Sequence, residues 1–417
     1  MRHNNFQFRA ILLSFVAAAF CAYPVFSQNA TSSGESLTKI LKDNETKRPT
    51  EATITQIQAI LDKDPKNYYA RLVMGNTLDR VGLPMQAIEQ YQLAVQYGPN
   101  SPKAIIELVK AQISVGQKEA AMRLLQEANK RFPDDPEITY WVGNYYLAKR
   151  DLKAAAENFN KAQKGGRKIF GMATARAEMM TMLRNWEQAI VLANLELADN
   201  PNYPLANAVK GVALFNLHKF KEANPYLKIA FANFPLKQDY AKEYAETCLF
   251  FDNTKAALEP AMVAVAVFSS NHMSVDAESK WLLNYIISRL PFSYVKEQVP
   301  IIMDKIEKPI NNAPMHLAFG EIFDTNGYHD LAVTQFYRSY QLNPSQASVA
   351  YKLANDLELY FQKYDDAIIY LSKAHALSPN DSEIADRLER LQNRLPGRKA
   401  DLAWQLKDLL RSQRSPI

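Results

Sequence analysis

Residues 74–99 read MGNTLDRVGLPMQAIEQYQLAVQYGP, two helical runs with apolar faces, closed by Pro99. The frame recurs along the chain. Pro65, Pro99, Pro133, Pro201 and Pro235 stand on one 34-residue ladder, whose vacant rung is Arg167, just after Gly165-Gly166. Twelve residues before the rungs stand Ala87, Ala121, Ala155, Ala189 and Ala223. Five before them stand Ala94, Ala128, Ala162 and Ala230, with Glu196 the exception. Gly75, Gly143 and Gly211 share a further slot, filled between them by Val109 and Ala177. Chance does not hold such a register over about 170 residues.

The spacing has a physical reading. Each unit holds two amphipathic helices of roughly a dozen residues, the second ended by a proline that cannot continue it. Ala and Gly at fixed places let helix backbones approach closely, while Leu78, Tyr91, Leu125, Tyr146, Phe159, Leu214 and Leu227 fill the surrounding space. One unit alone cannot bury its apolar faces, so neighbours must stack.

The order of residues in 74–99 resembles the tetratricopeptide-repeat (TPR) signature W-x2-L-G-x2-Y…A-x3-F…P. VGNYY…AAAENFNKA in 142–162 and KGVAL…EANPYLKIAFANFP in 210–235 resemble it too, as does FGEIFDTNGYHDLAVTQFYRSYQLNP in 319–344. The register continues through Ala245, Ala257 and Ala264, where Ser269 replaces the closing proline. It fits 347–380 with one inserted residue, through Ala354, Ala367, Leu371, Ala374 and Pro379. The resemblance covers about 50–395 and implies an all-α fold, a right-handed α-solenoid of stacked helix-turn-helix repeats.

On this basis residues 49–271 are expected to form an N-terminal TPR array, a half-repeat (Ile57, Ile60, Pro65) followed by six repeats. Residues 313–380 are expected to hold two C-terminal repeats, and 381–417 capping helices and a tail. Between the arrays, 272–312 loses the signature and keeps only helical apolar spacing around Trp281, Leu282, Tyr285 and Ile286. It reads equally as a lengthened, degenerate repeat or as an insertion. Residues 28–48 are polar and read as a disordered lead-in.

Residues 1–27 read as a signal peptide: Arg2 and Arg9, then an uncharged apolar run from Ile11 to Tyr23, then Val25-Phe26-Ser27 as the cleavage region. That run is short for a membrane span. The reading is an exported chain, periplasmic or secreted, with no span after cleavage; an uncleaved anchor or lipidation at Cys21 is the alternative. With Cys21 removed only Cys248 remains, so no internal disulfide forms.

The resemblance implies that the first helix of each unit lines a concave groove for peptides or protein segments. The stripe at i, i+4, i+7 then nominates Asn76, Tyr140, Asn144, Leu147, Val212, Phe215, Glu246, Leu249, Tyr351 and Asn355 as groove residues. Asn76, Asn144 and Asn355 occupy one equivalent slot, where an amide can donate to and accept from a ligand backbone. The other reading of these residues is packing between neighbouring first helices.

The rest of the sequence argues against catalysis. Six histidines, His3, His218, His272, His316, His329 and His375, form no i, i+4 ligand pair. His316 and His329 fall on successive helices without further ligands, and Asp324-Thr325-Asn326-Gly327 reads as a turn, so no metal or cofactor is expected. No phosphate-loop or G-x-S-x-G pattern is present. A formal net charge of +5, two units of it in the leader, gives no case for nucleic acid. The expectation is a non-enzymatic scaffold that binds a protein or peptide, supporting envelope assembly or secretion. An accessory subunit of an envelope enzyme and a self-associating array are the alternatives.

Overall fold

The computed structural model describes residues 32–166, 168–272 and 276–394. The leader expected at 1–27 and the short helix expected at Ala400 to Leu410 lie outside these residues. Among the described residues there are helices and no strands, and no helix is long and apolar enough to cross a membrane. The chain is an all-α solenoid of helix-turn-helix repeats, divided between Phe234 and Pro235 into two compact units.

The first unit opens with α1 (Ser32–Thr46) and α2 (Glu51–Lys63). Five pairs follow: α3 (Tyr68–Val81) with α4 (Pro84–Tyr97), α5 (Pro102–Ser114) with α6 (Lys118–Arg131), and α7 (Pro136–Ala148) with α8 (Leu152–Lys164). Then come α9 (Met172–Met182) with α10 (Trp186–Asp199), and α11 (Pro204–Asn216) with α12 (Phe220–Asn233). The second unit holds α13 (Gln238–Phe250) with α14 (Thr254–His272) and α15 (Ala277–Arg289) with α16 (Phe292–Glu307). It continues with α17 (Ala313–Thr325) and α18 (His329–Leu342), α19 (Ala347–Leu359) and α20 (Tyr364–Leu377), and ends with α21 (Ser382–Arg394).

The glycine and alanine slots are points of closest approach. An added Cβ at Gly75 would sit 2.6 Å from the ring of Tyr91, and one at Gly143 2.6 Å from the ring of Phe159. At Gly320 it would sit 2.4 Å from Phe336. Each first helix therefore lies on the large side chain of its own partner. The rung alanines Ala87, Ala121, Ala155, Ala189 and Ala223 are likewise fully buried.

The turns repeat as strictly as the helices. Gly82, Gly116, Arg150, Arg184, His218 and Asp252 all have positive φ, between 56° and 92°, and stand 34 residues apart. After each, a backbone N–H bonds back to a carbonyl five residues earlier: Leu83 to Leu78, Asp151 to Tyr146, Lys219 to Leu214. This is the left-handed close of a helix, for which glycine is the unstrained choice. Gly327 (φ 78°) and Gln362 (φ 53°) serve the last two pairs in the same way.

Three departures from the sequence expectation have physical causes. Residues 32–46, read as disordered, form α1. Leu37, Ile40 and Leu41 recur at helical spacing, and Leu37 and Ile40 are buried in the same core as Ile57, Leu61 and Val73. Asn44 Nδ2 donates to Thr77 Oγ1 at 2.9 Å, tying α1 to α3, so the expected half-repeat is preceded by a further packed helix. The polar average of this stretch hid a narrow apolar face.

At Ser269, on the rung where most repeats carry proline, α14 simply runs on to His272, with the Ser269 hydroxyl bonded to the carbonyls of Val265 and Ala266. Residues 277–307 then form the helices α15 and α16, and Lys305 of α16 pairs with Glu259 of α14 at 3.0 Å.

The vacant rung at Arg167 and the odd Glu196 explain each other. Without a closing proline the chain enters α9 through Gly171 (φ 82°), which has no side chain to cap the helix. Glu196 of α10 supplies the cap from outside. Its Oε1 accepts the Gly171 N–H at 2.9 Å, and its carboxylate also takes the Thr174 N–H. An alanine, as in the other repeats, would leave these donors bare.

Burial raises the Glu196 carboxyl above the usual range, against the lowering effect of its two backbone donors. The folded state thus favours the protonated form. That contribution is complete below the unfolded value of about 4.3 and is lost as pH rises through the folded one. Two outcomes are expected. Glu196→Ala lowers unfolding free energy by about 1–3 kcal/mol in chemical denaturation, and wild type gains stability relative to Glu196→Gln as pH falls from 7 toward 4.5. For the slots, Gly143→Ala costs about 1–3 kcal/mol by overpacking Phe159, whereas Gly82→Ala, with open space around it, costs about 1–2 kcal/mol through backbone strain alone.

Candidate functional site

The predicted stripe consists of the fifth, ninth and twelfth residues of the first helices, as in Tyr140, Asn144 and Leu147 of α7. In the first unit it is largely closed. Tyr140 is buried against Trp141 and Phe159, with ring centroids at 5.8 and 6.1 Å, and its hydroxyl lies beside the Gly171 turn. Leu147 is fully buried in the same core. Asn144 is buried with neither amide atom hydrogen-bonded, and Asn76 is half-buried and bonded to the Tyr91 hydroxyl. The common asparagine slot therefore does not present equivalent free amides. Val212 and Phe215 remain half-exposed, Phe215 edge-on to Phe220 at 5.3 Å.

The second unit presents an open concavity. Glu246 and Leu249 of α13 face Ala277, Glu278, Trp281 and Leu282 of α15 across about 610 Å³. Trp281 is 63% exposed, the most exposed large hydrophobic side chain among the described residues, and its ring stacks on Tyr285 at 5.3 Å. The Arg289 guanidinium covers the other side of this pair, 4.5 Å from the Tyr285 ring. Lys242 and Glu278 form an ion pair across the rim. Burial raises the Glu246 carboxyl, while Lys242 pulls it down. The result is an apolar floor with acid groups at its edge, closed by no side chain of its own.

Sequence reasoning placed Glu246 and Leu249 in the groove but saw Trp281 and Tyr285 only as helical apolar spacing, because the signature fails in that segment. The signal was nonetheless present. Counted from the start of α15, Trp281 and Tyr285 are the fifth and ninth residues, the slots held by Tyr140 and Asn144 in α7. The stripe passes through the irregular pair.

Further along, the stripe is engaged in ties between repeats. Glu321 of α17 pairs with Lys280 of α15 at 4.0 Å and Lys352 of α19 at 3.3 Å. The Tyr351 hydroxyl donates to Glu383 of α21 at 2.6 Å, and Arg387 clasps Glu358 at 2.8 Å. Asn355 donates to Asp356 at 3.5 Å. Tyr351 and Glu358 thus seat the capping helix. His316 is a core histidine, bonded to Gln335 at 2.7 Å and Asn311 at 3.0 Å.

The family model for the tetratricopeptide repeat matches residues 82–140, from the turn after α3 into α7. Residues 82–140 thus match the tetratricopeptide repeat, in the register that the sequence carries on either side of them. Three solved structures are similar to the chain at low identity. A chain of the APC/C hetero-tetramer Cut9–Hcn1 is 16% identical with a TM-score of 0.43, over 85% of this chain and 62% of that one, so the present chain spans less than two thirds of its length. A tetratricopeptide repeat protein from Parabacteroides merdae is 15% identical with a TM-score of 0.41, over 62% of this chain and all of that one. YrrB, a TPR protein with an unusual peptide-binding site, is 17% identical with a TM-score of 0.26, over 52% and 94% of the two chains. No curated protein matches the chain in sequence.

The concavity can be separated from the core by paired substitutions. Trp281→Ala, on an exposed ring, is expected to change unfolding free energy by less than about 0.5 kcal/mol. Its neighbour Leu282→Ala, 2% exposed, is expected to cost about 2–5 kcal/mol, both read by denaturant titration followed by circular dichroism.

Proposed function

We propose that the protein is an exported scaffold that binds a segment of a partner protein in the concavity of its second unit. The carrying observation is Trp281 standing open between two first helices, with Leu249 and Leu282 beneath it and Glu246 and Glu278 at the edge. Exposed aromatic anchors set in an apolar recess are the usual centre of a protein interface. The carboxylates of Glu246 and Glu278 offer hydrogen-bond acceptors to a bound segment beside this apolar recess. Export rests on the leader pattern of Arg2, Arg9 and the apolar run from Ile11 to Tyr23. Service in envelope assembly or secretion follows from that address together with the repeat architecture.

The test uses the folded groove variant. Crosslinking of wild-type chain in its native cells, followed by mass spectrometry, is expected to recover a partner through lysines near α13 and α15. Trp281→Ala combined with Leu249→Ala is expected to weaken the purified interaction at least about 30-fold, the loss of about 2 kcal/mol associated with an interface hot spot. Unchanged affinity with an intact helical spectrum rejects the groove. An unprocessed N-terminus in the cytosolic fraction rejects export.

A further inference from the structure

A second cluster in the second unit lies outside the lining of the groove. Asp324 near the end of α17, His329 at the start of α18 and Asp356 of α19 come from two successive repeats. One oxygen of each carboxylate and one ring nitrogen of His329 all lie within 4.8 Å of one another. His329 Nδ1 is 3.0 Å from Asp324 Oδ1. Its ring is held flat against Tyr360, at the end of α19, with centroids 3.3 Å apart and planes 9° apart.

Asp356 is the informative member. It is 1% exposed, yet its Oδ2 has no hydrogen-bond partner, and its other oxygen takes only a long 3.5 Å contact from Asn355. A buried carboxylate without partners costs far more than an exposed one, and buried charges are normally paired or bound to metal. The neighbouring side chains do not meet the need: Lys352 is committed to Glu321 at 3.3 Å, and His329 Nδ1 faces Asp324. Burial and repulsion from Asp324 push the Asp356 carboxyl up to about 6.

We propose that Asp324, His329 and Asp356 form a binding site for a divalent transition-metal cation of the zinc class, which ties one repeat to the next. Two carboxylates neutralise the charge of such an ion, and neutral imidazole selects transition metals over magnesium or calcium. Three atoms no more than 4.8 Å apart have a common centre within about 2.8 Å of each. A contraction of about 0.6–0.8 Å brings that centre to the 2.0–2.2 Å of zinc bonds to oxygen and nitrogen. Tyr360 fixes the plane of the imidazole, the orienting work that surrounding groups do for a metal-bound histidine. The ligands span α17, α18 and α19, so the ion would hold the α17–α18 turn on the following first helix. Neither the peptide groove nor its occupant enters this argument.

The experiment uses the full chain purified without a histidine tag and stripped with a chelator. Zinc chloride is titrated by calorimetry, bound zinc is counted by mass spectrometry after gel filtration, and cobalt(II) serves as a visible probe. One zinc per chain is expected, with a higher melting midpoint and a cobalt d–d absorption band. His329→Gln and Asp356→Asn are each expected to weaken zinc at least about 100-fold and to abolish the band. Asp324→Asn, on a half-exposed residue, gives the same result with the least risk to folding, which circular dichroism checks. Failure of wild type to retain zinc overturns the proposal. So does equal retention by all three variants, which places the metal elsewhere, or displacement of zinc by millimolar magnesium or calcium.

Discussion

Everything in this molecule hangs on the closeness with which the first helix of each pair lies on the second. Gly75, Gly143 and Gly320 rest directly on aromatic rings, and the rung alanines are fully buried. At that separation the large side chains interdigitate and the pair becomes a slab with two apolar faces. A slab of this kind has to be covered on both sides. The next pair covers one, and at the C-terminal end α21 covers the other, held by Arg387 on Glu358 and by Tyr351 on Glu383.

Much of this was legible because a repeat states its own geometry many times over. The proline ladder and the Ala and Gly slots placed the helix pairs from α3 to α14, and again from α17 to α20. The reading failed where one position departs from the pattern for a reason that lies elsewhere in the chain. Glu196 looks like an error in an alanine column until Gly171 is set beside it. Trp281 looks like debris of a lost signature until the start of α15 is known. Ser32 to Thr46 looks disordered by composition, because only three apolar residues carry the buried face.

The candidate site was less legible than the fold, and for a definite reason. The first-helix stripe could be counted from the sequence, but counting does not say which members are covered. Tyr140, Asn144 and Leu147 occupy the right slots and are buried, whereas Glu246 and Leu249 occupy the same kind of slot and border open space. The difference arises from what stands in neighbouring helices. The Asp324–His329–Asp356 cluster was hidden for the same reason, since its third member arrives from the next repeat.

The turn of the last full pair carries one more residue than the others, and it shows how the array keeps time. Lys363 N–H closes on Leu357, six residues back, where the ordinary turns close five back. The extra residue is absorbed between two helix ends, and Ala367, Leu371 and Ala374 remain buried. Phase is therefore reset at every turn and set again by packing. An error of length in one repeat is not inherited by the next, so the array can lengthen a turn locally, as it does beside Tyr360, while the slots downstream stay in register.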